Sequence, residues 1–229
     1  MLQVRKANER GYADHGWLKA NHTFSFAGYY DPAHVHFSHL RVINEDFVAP
    51  TMGFGTHPHD NMEILTYVLE GRIAHKDSMG NVKEFNAGEF QFMSAGSGVT
   101  HSEFNPSNDE MLHLYQIWII PNVKDNAPRY DQRRFADEEG ATLILSPTGE
   151  GESFRVYQDM KLWRYQYKAD QTIDISLNSA RNYWLQVVKG ELKVNNIALS
   201  SSDAVGIRAE ERAKIETSSD VEFLLFDLK

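Results

Sequence analysis

Apolar runs in this chain are short, and turn residues end them. HLRVINEDFV (39–48), EILTYVLEG (63–71), EFQFMSA (89–95), LHLYQIWII (112–120), YWLQVVKGELKV (183–194) and VEFLLFDL (221–228) are each strand-like. Gly, Asn, Asp or Pro punctuates the intervals between them. In EILTYVLEG, Ile64, Thr66, Val68 and Glu70 alternate with Leu65, Tyr67 and Leu69, and several of the runs are apolar on both faces. Long stripes with a 3.6-residue period are missing, although RRFADEEGA (133–141) has the composition of a short helix. The pattern predicts an all-β sandwich or barrel. With 229 residues, 41% of them hydrophobic, the chain can form one large all-β domain or two smaller ones, each with its own core.

An internal repeat favours two. TYVLEGRIAHKDSMGN (66–81) and LQVVKGELKVNNIAL (185–199) share a strand, an acidic or basic residue before Gly, a second strand and a turn. Each is followed by a Gly-containing segment, and each copy closes on an apolar strand, LHLYQIWII or VEFLLFDL. Gly71 and Gly190 lie 119 residues apart, about half the chain. We therefore expect two copies of one β-barrel, residues 1–125 and 126–229, linked near the polar NVKDNAPRYDQRR (122–134).

Charge and composition remove several classes of function. The net charge of −9 is broken by no Lys/Arg cluster, so a nucleic-acid groove is not expected. RYDQRR (129–134) is the densest basic spot, and Asp137, Glu138 and Glu139 follow it. No apolar run is long enough to cross a membrane, and the N-terminus does not read as a signal peptide, which makes a cytoplasmic location the expectation. Cysteine is absent, so disulfides, thiolate ligands and cysteine nucleophiles are excluded together.

Histidine is unevenly placed. All ten lie between positions 15 and 113. In GFGTHPHDNME (53–63), His57 and His59 stand one residue apart, and in an extended chain such residues point to the same face. Pro58 stiffens the segment between them. GSGVTHSEFNP repeats the spacing with His101 and Glu103, and Ser102 between them should face away. If the segments lie side by side, they present three imidazoles and a carboxylate, which suits a divalent first-row metal bound by N and O donors. The second copy has no histidine with which to rebuild such a cluster.

HPHDNME-ILTYVLEG resembles the first cupin motif, G-x5-HxH-x3,4-E-x6-G, and GEFQFMSAGSGVTHSEFN resembles the second, G-x5-PxG-x2-H-x3-N. The departures are specific. Thr51 stands at the opening glycine and Gly71 arrives one residue late; Ser94 replaces the proline, and four residues rather than two separate Gly96 from His101, while Asn105 keeps its place. THPH, YVLEG, SAGSGV-HSE-N and a metal-free second half together resemble the pirin family of bicupins. HTFSFAGYYDP (22–32) and LRVINED (40–46) are similar to its bacterial members described as quercetin 2,3-dioxygenases.

The resemblance implies a bicupin of two jelly-roll barrels, the first holding a metal on His57, His59, His101 and Glu103 and the second degenerate. Glu63 fills the usual cupin glutamate position, but Glu103 matches the pirin ligand, which leaves Glu63 as an alternative ligand or as the residue orienting a ligand imidazole. A His3Glu set leaves open positions and fits an oxygen-activating metal better than a closed structural zinc. Fe(II) is the first choice, with Mn, Ni, Cu, Co or Zn compatible. The implied reaction opens the central ring of a flavonol such as quercetin with O2 and releases carbon monoxide, Glu103 serving as ligand and as base for the 3-hydroxyl. Phe24, Phe26, Phe54, Phe90 and Phe92 are candidates for the walls of an aromatic pocket. The alternative implied by the same family is a non-catalytic metal or redox sensor that binds a protein partner.

Overall fold

The computed structural model describes residues 1–229. Strands occupy every apolar run, and the one helical element is the 3-10 turn Ala7–Glu9. In the first half the strands are β1 (Leu2–Arg5), β2 (Gly11–Asp14), β3 (Leu18–His22), β4 (Leu40–Val48), β5 (Gly53–His59) and β6 (Glu63–Glu70). They continue with β7 (Arg72–Asp77), β8 (Val82–Asn86), β9 (Glu89–Ser94), β10 (Val99–Phe104), β11 (Leu112–Ile119) and β12 (Arg129–Arg134). The second half holds β13 (Gly140–Ser146), β14 (Phe154–Arg155), β15 (Met160–Tyr167), β16 (Thr172–Ser176) and β17 (Asn182–Lys189). The last strands are β18 (Glu191–Val194), β19 (Ile197–Ser200), β20 (Ala204–Arg208), β21 (Arg212–Thr217) and β22 (Val221–Leu228). No helix is long and apolar enough to cross a membrane.

The strands form two compact units, each a cupin-like barrel, which bears out the all-β, two-barrel expectation. One unit comprises Gly11–Phe135 and Val156–Gln158; the other comprises Met1–Arg10, Ala136–Arg155 and Asp159–Lys229. This differs from a break between 125 and 126 at both ends. β12 pairs along its whole length with β9, Arg129 opposite Ser94 and Arg134 opposite Glu89, so the chain stays in the first unit until Phe135 is buried. β1 pairs with β20, Leu2 opposite Ile207, and belongs to the second unit. The helical reading of 133–141 fails for the same reason: ladder hydrogen bonds to β9 hold Arg133 and Arg134 extended. Tertiary pairing overrides a weak local propensity.

In the first unit a seven-stranded sheet, β12-β9-β6-β11-β4-β3-β2, faces a four-stranded one, β5-β10-β7-β8. The register of the large sheet lines up one row across five strands: His22, Asn44, Gln116, Thr66 and Gln91. Every member is polar. The next row on one side is Ala20, Asp46, Leu114 and Val68; on the other side Trp118, Ile64 and Met93 follow. A polar stripe is thus set between apolar layers, one containing Val68, Ile73, Phe85 and Leu114 and the other Ile64, Met93, Ala95 and Val99. Burial of these side chains drives closure of the barrel. The stripe cannot contribute to that drive and has another use.

The second unit repeats the topology, with sheets β1-β20-β17-β22-β15-β13-β14 and β16-β21-β18-β19. Gly71 and Gly190 occupy equivalent turns, with φ of +73° and +87°. A Cβ there would lie 2.6 Å from the Met111 carbonyl oxygen or 2.2 Å from that of Asp220, so only glycine fits either turn. Aligned on these glycines and the strand register, the row Gln91, Thr66, Gln116 becomes Val205, Leu185, Leu225. All three are buried in an apolar core.

Candidate metal centre

β5 and β10 pair antiparallel, with His101 opposite His57 and Val99 opposite His59. β5 is an edge strand of its sheet, which is where a proline can sit without losing a ladder bond, and Pro58 does so. Between His101 and Glu103 the register slips, because the interval from Phe54 to His57 on β5 is one residue longer. Such a bulge re-aims the side chains beside it. Gly53 allows the strands to meet there: a Cβ would fall 2.2 Å from the Glu103 carbonyl oxygen.

The result brings His57, His59 and His101 together, with one ring nitrogen of each within 4.8 Å of the others. The ring centroids lie 4.4–4.9 Å apart. His57 Nδ1 lies 2.8 Å from the Gly55 carbonyl oxygen, which can only accept, so Nδ1 carries the hydrogen and Nε2 keeps its lone pair. His101 is 1% exposed, and neither of its ring nitrogens has a hydrogen-bond partner. Burial, reinforced by His57 and His75, pushes its imidazolium form away and its pKa down to about 3. Burial does the same to His59, whose pKa falls to about 4, with His101 and His57 adding to it. Near neutral pH both rings are uncharged lone-pair donors, the state a metal ligand requires.

Glu103 is equally buried and is aimed by two amides of the polar row. Its Oε1 accepts from Gln91 Nε2 at 3.2 Å, and its Oε2 accepts from Gln116 Nε2 at 3.0 Å. Gln116 is oriented in turn by Trp118, whose indole N–H donates to the amide oxygen at 3.3 Å. Glu103 Oε1 lies 4.0 Å from Nδ1 of both His75 and His101.

His75 was not among the residues singled out by spacing, although HKD (75–77) repeats the i, i+2 pairing of HSE. β7 lies beside β10, placing His75 opposite Glu103 and Asp77 opposite His101. Burial opposes ionisation of Asp77, yet hydrogen bonds from His75 and Asn81 outweigh it and hold its carboxyl below the ordinary range. His75 Nε2 donates to Asp77 Oδ2 at 2.9 Å, which leaves its Nδ1 a partnerless acceptor. His75, His101 and Glu103 form a second donor set within 4.8 Å.

Glu63 takes neither of the roles expected of it. Its carboxylate accepts from the Ser94 hydroxyl and, at 3.0 Å, from the Tyr157 backbone N–H, with Arg129 at 3.8 Å. It belongs to neither donor set and hydrogen-bonds no imidazole of the cluster. Ser94, at the position of the motif's proline, supplies the hydroxyl that holds it away. Asn105 is also architectural: its amide donates to the Val48 and Glu110 carbonyls.

A cavity of about 230 Å³ opens beside His57, His59 and Glu103. Phe26, Phe54 and Trp118 give it aromatic walls, and Asn44, Asp46 and Gln116 project from the large sheet. Of the five phenylalanines considered from sequence, Phe24, Phe90 and Phe92 are core instead. Trp118 meets Phe26 edge-on at 5.3 Å and His59 at 4.9 Å. A depression of about 310 Å³ on the other unit is lined by Asp137, Glu138, Glu139 and Lys168 and contains no imidazole. In that unit the positions equivalent to His57, His59, His75, His101 and Glu103 fall on Ile175, Leu177, Val194, Ala213 and Ile215, which pack in its core.

Residues 3–119 match the Pirin family model, and residues 143–228 match that of a quercetinase C-terminal cupin domain. A quercetin 2,3-dioxygenase of Escherichia coli K12 is 54% identical over all of this chain and 99% of its own length. A pirin-like protein of Caulobacter vibrioides is 38% identical over 99% of both chains. The solved structure of the bacterial pirin YhhW from Escherichia coli, in complex with nickel(II), superposes with a TM-score of 0.97 at 54% identity, covering 100% of this chain and 99% of that one. The fold, the histidine-bearing strand pair and this full-length similarity lead to one assignment: the chain belongs to the pirin family.

Proposed function

We propose that this protein is a metal-dependent dioxygenase of the cytoplasm that opens the central ring of quercetin-like flavonols, both atoms of O2 entering the product and C3 leaving as carbon monoxide. The observation that carries the reading is a cluster of three imidazoles, the buried His101 ring with both nitrogens partnerless among them, beside a carboxylate and at the mouth of an aromatic-walled cavity. His57, His59, His101 and Glu103 are the ligands we assign. The donor set fits a divalent first-row ion, because buried nitrogens without hydrogen-bond partners are costly unless something occupies their lone pairs. The nickel(II) complex of the YhhW relative supports a divalent ion, and Fe(II) is our choice for the native one.

The bound metal supplies Lewis acidity and the electron traffic that dioxygen chemistry needs. The chain does the rest. Glu103, aimed by Gln91 and Gln116, accepts the proton of the flavonol 3-hydroxyl. Phe26, Phe54 and Trp118 hold the flat ring system and exclude water from the reacting carbons. At about 230 Å³ the cavity falls below the roughly 300–1,000 Å³ usual for ligand sites, and this favours a planar guest over a bulky one.

Oxygen uptake and carbon monoxide release with quercetin, on protein of measured metal content, test the reading against the His57→Ala, His59→Ala double variant. Metal-dependent turnover that the variant lacks supports it. Fully metallated protein that binds quercetin without turning it over would replace it with the sensing, partner-binding role.

A further inference from the structure

Asp46 has no part in the proposed metal centre, yet it lines the same cavity. It is 4% exposed, and its Oδ1 has no hydrogen-bond partner. Other buried carboxylates of this unit are served by the protein: Asp77 accepts from His75, Asn81 and the Met79 N–H, and Glu63 from Ser94 and Tyr157. A carboxyl kept for structure alone would be satisfied in the same way. The register shows why Asp46 is open to the cavity. Its neighbours across the sheet are Ala20 on β3 and Leu114 on β11, so one side carries only a methyl group and the other no polar atom.

We infer that Asp46 is a ligand-binding residue, whose carboxyl group hydrogen-bonds a hydroxyl of the aromatic ligand other than the one presented to Glu103. The inference rests on the flavonol reading and deepens it: the enzyme selects polyhydroxylated flavonols over those bearing the 3-hydroxyl alone. The aromatic residues of the cavity, Phe26, Phe54 and Trp118, accept a flat ring but offer an outer hydroxyl no acceptor. The polar residues His22, Asn44 and Gln116 that also line it are engaged with protein partners: His22 Nδ1 lies 2.8 Å from Asn44 Oδ1, and Gln116 is held by Glu103 and Trp118. A phenolic hydroxyl both donates and accepts. As a carboxylate Asp46 accepts from that hydroxyl, and in the protonated form, which burial favours, it can also donate. A cation is the poorer occupant, because Asp46 belongs to neither group of converging metal-donor atoms. A pocket that hydrogen-bonds a substrate hydroxyl rejects the analogue without it, since the protein group is then left unpaired.

The experiment compares quercetin with 3-hydroxyflavone, which keeps the 3-hydroxyl and lacks those on the outer rings. Dissociation constants are read from quenching of tryptophan fluorescence on metal-loaded protein, with KM and kcat measured in parallel. Wild type should bind quercetin more tightly. In Asp46→Leu the ratio of the two constants should fall about tenfold, through KM rather than kcat, with metal content retained. Asp46→Asn, which keeps shape and hydrogen-bonding capacity, should recover part of the ratio, and Asp46→Ala gives the same reading if the leucine variant does not fold. A ratio equal to wild type in these variants overturns the inference and leaves the flavonol reading standing. Wild-type protein that binds neither flavonol overturns both.

Discussion

His101 is the residue on which the candidate centre turns. It sits between the two donor sets, and both of its ring nitrogens are buried without partners. Replacement by alanine should abolish turnover and lower bound metal together, measured by elemental analysis of the purified variant; retained metal at wild-type stoichiometry would contradict its assignment as a ligand. Asp46 gives a second residue-scale test, in metal-free protein. A carboxyl raised to about 7 in the fold stabilises the protein while protonated, below its unfolded value of 3.8, and that contribution is lost as pH rises through 7. Asp46→Asn removes the loss. Its unfolding free energy should exceed that of wild type by up to about 4 kcal/mol at pH 8, with the gap closing toward pH 4, as read from denaturant titrations. At this scale HxH and HxE were legible, because period-two alternation acts within one strand. His75 was not: its place beside Glu103 depends on β7 lying next to β10, and nothing local to HKD announces a neighbour.

Among the elements, the pairing of β5 with β10 decides whether the ligands converge. Gly53 permits the close approach beside the bulge. Gly53→Ala should push β5 outward and weaken metal binding roughly 10–100-fold, comparable to the loss of a residue that orients a ligand. Competition with a chelator measures this, and an unchanged affinity would mean that the bulge absorbs the methyl group. The polar row belongs to this scale as well. Gln91, Thr66, Gln116, Asn44 and His22 come from five strands spread over residues 18–119, and only the register aligns them. Within its own strand, none of them is distinguished from the other polar residues, such as Glu45 beside Asn44 or Asn21 beside His22. Aligned, they explain how Glu103 is aimed. Glu63 teaches the reverse lesson: a motif position suggested a ligand, while the hydroxyl of Ser94 on the neighbouring strand β9 claimed its carboxylate.

Over the whole molecule, one topology is used twice and chemistry is kept in one copy. The first ten residues complete the sheet of the second unit, where β1 covers the edge of β20. Removing residues 1–10 should therefore speed hydrogen exchange at Ala204–Arg208 and lower the unfolding temperature, while metal bound per folded molecule stays as in the full chain. Faster exchange at His57–His59 instead would refute that assignment. Short alternating runs, the glycine-matched repeat and the absence of histidine after position 113 were enough to specify two β-barrels and to place the imidazole chemistry in the first. Those signals are local: strand period, turn stereochemistry and residue identity act over a few positions. Unit boundaries, the conversion of the second barrel's site positions to Ile175, Leu177, Val194, Ala213 and Ile215, and the exposure of Asp46 to the cavity were settled only by tertiary pairing. A strand's partner and register depend on side chains buried from distant parts of the chain, and a shift of one residue would turn every inward group outward.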